Sequence, residues 1–101
     1  MTTGLPVTPM DKASRSARLA DQIRDLVAGW LHQDYPAILV SVLDVQLSTS
    51  GHKATIWLTA FDEPAQRAAR DILRQSARYT AKLHRELNRQ NVPEVTFRVE
   101  Q

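Results

Sequence analysis

Seven basic side chains recur at helical intervals in the second half of the chain: Arg67, Arg70, Arg74, Arg78, Lys82, Arg85 and Arg89. The steps between them are 3, 4, 4, 4, 3 and 4 residues, a spacing that places all seven along one side of a continuous or gently bent helix. Guanidinium groups in such a row suit phosphate, because each planar fork can bond two oxygens at once. A merely solvated face usually mixes signs so that residues four apart attract. Here residues 67–89 hold only Asp71 and Glu86 as acids, an excess of five positive charges in a chain whose net charge is +2. Like charges at this spacing cost roughly 0.2–0.5 kcal/mol per pair, a repulsion that a bound polyanion relieves. The stripe is therefore read as a nucleic-acid surface, with Arg15, Arg18 and Lys53 as auxiliaries. An anionic lipid surface is the competing partner, but no aromatic anchor accompanies the charges.

Other chemistry is thinly represented. The chain has no cysteine, which removes disulfides, thiolate metal sites and cysteine nucleophiles together. His32, His52 and His84 have no carboxylate or second histidine at ligand spacing, so no metal is expected. The glycines are Gly4, Gly29 and Gly51, too scattered for a phosphate-cradling loop. No nucleophile–base pair is legible; the expectation is a non-enzyme without a cofactor. Trp57 alternates with the core set of its strand and so faces outward. There it is either a stacking platform for bases or a side chain covered by its strand neighbours, and the second reading is preferred. A protein–protein adaptor using the sheet face around Trp57 is the alternative function.

These residues need elements to position them. At 101 residues the chain suits one domain that buries roughly 60–65% of its unfolded surface. Residues 1–13 read as a flexible tail and 14–101 as the domain. The first residues have no basic segment leading into an apolar one, and no apolar run reaches the ~20 residues that span a bilayer. A cytoplasmic monomer away from membranes is expected. Leu19, Ile23, Leu26, Val27, Trp30 and Leu31 make one apolar helical stripe, with Ser14 or Ser16 as N-cap and an end near His32–Asp34 set by Pro36. Leu43, Val45 and Leu47 alternate in a first strand, and Ala54, Ile56, Leu58 and Ala60 in a second. The intervening Ser48–Gly51 predicts an antiparallel hairpin. Asp62, Glu63 and Pro64 start a second helical region. Its inner stripe is Ala69, Ile72, Leu73, Ser76, Thr80, Leu83 and Leu87. Val95, Phe97 and Val99 form a last strand after Pro93.

Three short segments resemble the ribosome-binding factor A family. Arg18-Leu-Ala-Asp-Gln-Ile23 is similar to that family's Arg-Val-Ala-Asp-Gln-Ile, Asp44-Val-Gln-Leu-Ser48 to its Asp-Val-Glu-Leu-Ser, and Val92-Pro-Glu-Val95 to its Val-Pro-Glu-Leu. They occur in the family's order with similar spacing, and the resemblance covers about residues 14–99. The resemblance implies an α+β, type II KH-like fold, αββαβ with an interrupted second helix and helices on one face of a three-stranded sheet. It also implies binding to the free small (30S) ribosomal subunit and its 16S ribosomal RNA during late maturation and rRNA processing. Family members lack the Gly-x-x-Gly clamp of ordinary KH domains and usually carry Ala-x-Gly at the helix interruption. That motif falls on Gln75, Ser76 and Ala77, so this chain has no glycine there.

Overall fold

The computed structural model describes residues 12–87 and 91–100. Their order is α1 (Lys12–Asp34), β1 (Val40–Leu47), β2 (Lys53–Ala60), α2 (Glu63–Leu73), α3 (Ser76–Glu86) and β3 (Glu94–Val99). The strands form one mixed sheet in the order β1-β2-β3, with β1 antiparallel and β3 parallel to the central β2. The parallel pair requires a crossover, which α2 and α3 supply. Ala54, Ile56 and Leu58 on alternate positions of β2 are fully buried and join the helices in one core. The helices therefore cover a single face, the arrangement expected of the type II KH-like class.

In α1 the buried residues are Leu19, Ile23, Val27 and Leu31, four apart on one stripe. Trp30 lies half-buried at the core's rim. Ser14 and Ser16 are inside this helix rather than at its N-cap, because α1 is already running at Lys12. Residues 1–11 of the expected tail are outside the described residues. The helix ends at Asp34, where Pro36 makes continuation through Tyr35 unfavourable.

The hairpin departs from the simple alternation of its sequence. Val42 pairs with Leu58 while Asp44 pairs with Trp57, so Leu43 has no partner and β1 carries a bulge. A bulge shifts which side chains face inward. Leu43, expected inside, is 43% exposed, while Val40 and Val42 pack against the core in its place. Beyond the bulge Val45 and Leu47 face the core as expected. The turn is closed by a backbone hydrogen bond from Ser48 to Lys53 at 2.9 Å and by the Ser48 hydroxyl, which accepts from the Lys53 amide at 3.1 Å. Gly51 adopts φ 79°, a left-handed conformation that favours glycine.

Asp62 caps α2 by accepting the Ala65 amide at 2.9 Å, and Pro64 occupies its first turn. The second helical region is interrupted at Arg74–Gln75, which shares Gln75 with the anticipated Gln75-Ser76-Ala77; Ser76 and Ala77 already belong to α3. Arg74 donates to the Asp71 carbonyl and Gln75 to the Ile72 carbonyl, a tightened turn of i→i+3 bonds. Both residues keep negative φ, −78° and −107°, so this bend needs no glycine. The break also alters the expected inner stripe. Leu73 is 39% exposed, whereas Ala65, Ala68 and Tyr79 are buried. Tyr79 packs edge-on against Phe97, ring centroids 5.3 Å apart. On β3, Val95 and Phe97 are buried, and the Val95 amide donates to the Thr80 hydroxyl of α3 at 2.9 Å.

Candidate nucleic-acid interface

The interruption divides the basic stripe into two groups, where the sequence suggested one row along a single helix. Arg67, Arg70 and Arg74 belong to α2 and its C-cap. Ala65, Ala68, Ala69 and Ile72 take the buried side of that helix, which leaves the three arginines exposed on the opposite side. They line one shallow depression with Asp71. The carboxylate of Asp71 is occupied elsewhere: it accepts from the Tyr35 hydroxyl at 2.9 Å and from Gln75 Nε2 at 3.1 Å. The acid nearest in sequence thus serves the junction between helices, and none of the three guanidinium groups forms an ion pair with a described residue.

The second group behaves differently. Arg78 forms the ion pair found among the described residues, 3.3 Å to Asp34 at the end of α1, and donates to Gln75 Oε1 at 2.8 Å. Its guanidinium also lies 5.4 Å from the Tyr79 ring centre. Lys82 is half-buried, its ammonium 5.0 Å over the Trp30 ring, a cation–π placement. Arg85 is exposed. Arg89 lies outside the described residues. Arg15 and Arg18 are exposed on α1, and Lys53 is exposed at the start of β2; these auxiliaries sit on separate elements and are not gathered into the α2 group.

A polar clamp that sequence reasoning missed holds α1 to the interruption. Tyr79, fully buried, donates its hydroxyl to Asp34 at 2.9 Å. Burial raises its pKa above the ordinary phenol value, and the hydrogen bond to the Asp34 carboxylate raises it further, because only the protonated phenol can donate. Tyr35 is raised for the same reasons, burial first and then its bond to Asp71. Tyr79 stands four residues before Leu83, a spacing that could have placed it on the inner stripe. Its partner 45 residues away leaves no local signal. This clamp fixes where the arginine-bearing α2 ends relative to α1.

Trp57 is half-buried, and its ring is touched from the strands on either side. Its indole N–H donates to Gln46 Oε1 at 3.1 Å, and the Arg98 guanidinium lies 5.9 Å from its ring centre. Phe61, just past β2, is 79% exposed. Among the described residues no group of three or more His, Asp or Glu side chains is placed to hold a metal, and no helix is long and apolar enough to cross a membrane.

No family model matches the chain, and no curated protein matches it. Solved structures do. The crystal structure of ribosome-binding factor A from Thermus thermophilus superimposes with a TM-score of 0.69 and 27% identity, covering 83% of this chain and 94% of that one. A solution structure of a Thermotoga maritima protein, described provisionally as a ribosome binding factor A, gives 0.68 and 23% over 89% and 91%. A Thermus thermophilus ribosome binding factor A homology model, fitted into a cryo-EM map of its complex with the 30S subunit, gives 0.62 and 25% over 87% and 93%.

Proposed function

With the ribosome-binding factor A family supported by solved structures that share this fold, we propose that this chain is a ribosome assembly factor. It binds the free small (30S) subunit through 16S ribosomal RNA during late maturation and rRNA processing. It works as a cytoplasmic monomer, by occupancy rather than by catalysis. A bound factor favours whichever RNA conformation it binds more tightly, and by no more than that difference in affinity.

The observation that carries this reading is the trio Arg67, Arg70 and Arg74. They are exposed side by side, and the one acid among them is held by Tyr35 and Gln75. Arg85 extends the positive surface, while Arg78 and Lys82 contribute charge from positions already tied to α1. Sedimentation of the tagged protein with ribosomal particles tests the proposal. Co-migration with free small subunits at low salt, absent from assembled ribosomes and lost at high salt, is the expected result. Protein that stays at the top of the gradient at low salt would overturn it.

A further inference from the structure

Beside the arginine trio, and continuous with it through Arg70, lies a groove of about 980 Å³ between α2 and the ends of β2 and β3. Its walls combine two chemistries. Phe61 and Leu73 present apolar surface that the core does not use, 79% and 39% exposed. Arg70 and Arg98 bring guanidinium groups to the same groove, and neither forms an ion pair with a described residue. Gln66 and Glu100 add an amide and a carboxylate at its border. An exposed aromatic face next to unpaired guanidinium groups matches the two halves of a nucleotide, a stacking base and a charged phosphate. The volume falls in the range of about 300–1,000 Å³ typical of small-ligand sites.

We infer that this groove takes one unpaired nucleotide of the bound RNA. The base lies on Phe61 and Leu73, with Gln66 and Glu100 facing its hydrogen-bonding edge, and its phosphate meets Arg70 and Arg98. Arg67 and Arg74 follow the flanking backbone. Bases stacked within an A-form duplex cannot enter such a groove, whereas loops and bulges offer bases that can be splayed out. This inference rests on the RNA-binding reading above and adds a preference that phosphate contacts alone cannot provide, for interrupted over fully paired RNA.

The experiment uses two RNA hairpins with the same stem, one fully paired and one carrying a single bulged 2-aminopurine. Wild type should bind the bulged hairpin more tightly by roughly 5- to 150-fold, the range of one stacked base, and alter its fluorescence. Phe61→Ala should abolish that preference while affinity for the paired hairpin stays within about twofold, because stripe contacts to phosphate are retained. Arg98→Gln should weaken the preference as a second check that leaves the Phe61 ring in place. Equal wild-type affinity for both hairpins, with binding still salt-dependent, would overturn the groove and leave the stripe standing. Preference undiminished in Phe61→Ala would also overturn it. Failure to bind either hairpin would remove both readings.

Discussion

The phenol of Tyr79 is buried against Phe97 and Trp30, yet its hydroxyl reaches Asp34 across the helix interface. Tyr79→Phe keeps the ring and removes one hydrogen bond to a carboxylate that retains Arg78. It should lower unfolding stability by about 1–3 kcal/mol at neutral pH, measured by urea denaturation. The pKa of Tyr79 is raised in the folded state above the ordinary value of 10.0. Above pH 10.0 the folded chain therefore holds a proton that the unfolded chain has lost. Its contribution is complete below that pH and is lost as pH rises toward the folded value. The variant should accordingly lose less stability than wild type between about pH 9 and about pH 11, with a residual loss from Tyr35, which is shifted in the same direction. Leu43 provides a contrast. Leu43→Ala on the bulge should cost about 0.5 kcal/mol or less, whereas Ile56→Ala in the core should cost about 2–5 kcal/mol. Alternation along β1 placed Leu43 inside because a bulge depends on pairing across two strands, and no residue type in Val42-Leu43-Asp44 announces it.

Among the elements, the strands, their hairpin and the start of α2 were legible because each depends on neighbours within a few residues. Asp62 and Pro64 mark the α2 start by capping and fixed φ, and Gly51 marks the turn. The interruption was anticipated from resemblance and includes Gln75 as expected, but it begins at Arg74 and not Gln75, since its bounds depend on distant partners: Tyr35 engages Asp71 and Gln75, and Asp34 engages Arg78 and Tyr79. Ala77 lies in the first turn of α3, outside the buried set of that helix. Ala77→Gly should therefore leave the fold intact and cost no more than about 1 kcal/mol in thermal unfolding. A much larger loss would mean that this segment needs the full constraint of a helix interior. The same break explains why the candidate site was only partly legible. Spacing singled out the arginines, but not that Arg78 and Lys82 would turn toward Asp34 and Trp30 while Arg67, Arg70 and Arg74 form no ion pair with a described residue.

At the scale of the whole molecule, charge is segregated rather than abundant. A near-neutral chain carries its positive excess over α2, α3 and the turn between them, where Arg67, Arg70 and Arg74 form no ion pair with a described residue. If these side chains follow RNA phosphates, affinity must fall steeply with salt, with a log–log slope of roughly 0.7–0.9 per phosphate neutralised. The decisive comparison is a salt titration of binding to small-subunit RNA by wild type and by the triple variant Arg67→Gln, Arg70→Gln, Arg74→Gln. All three side chains are exposed, so unfolding stability should change by less than about 0.5 kcal/mol per site, and relief of repulsion could raise it. The predicted result is a slope flattened by about two to three units, with weaker binding to many RNA sequences alike. Equal slopes for the two folded proteins would contradict the assignment of this surface to RNA.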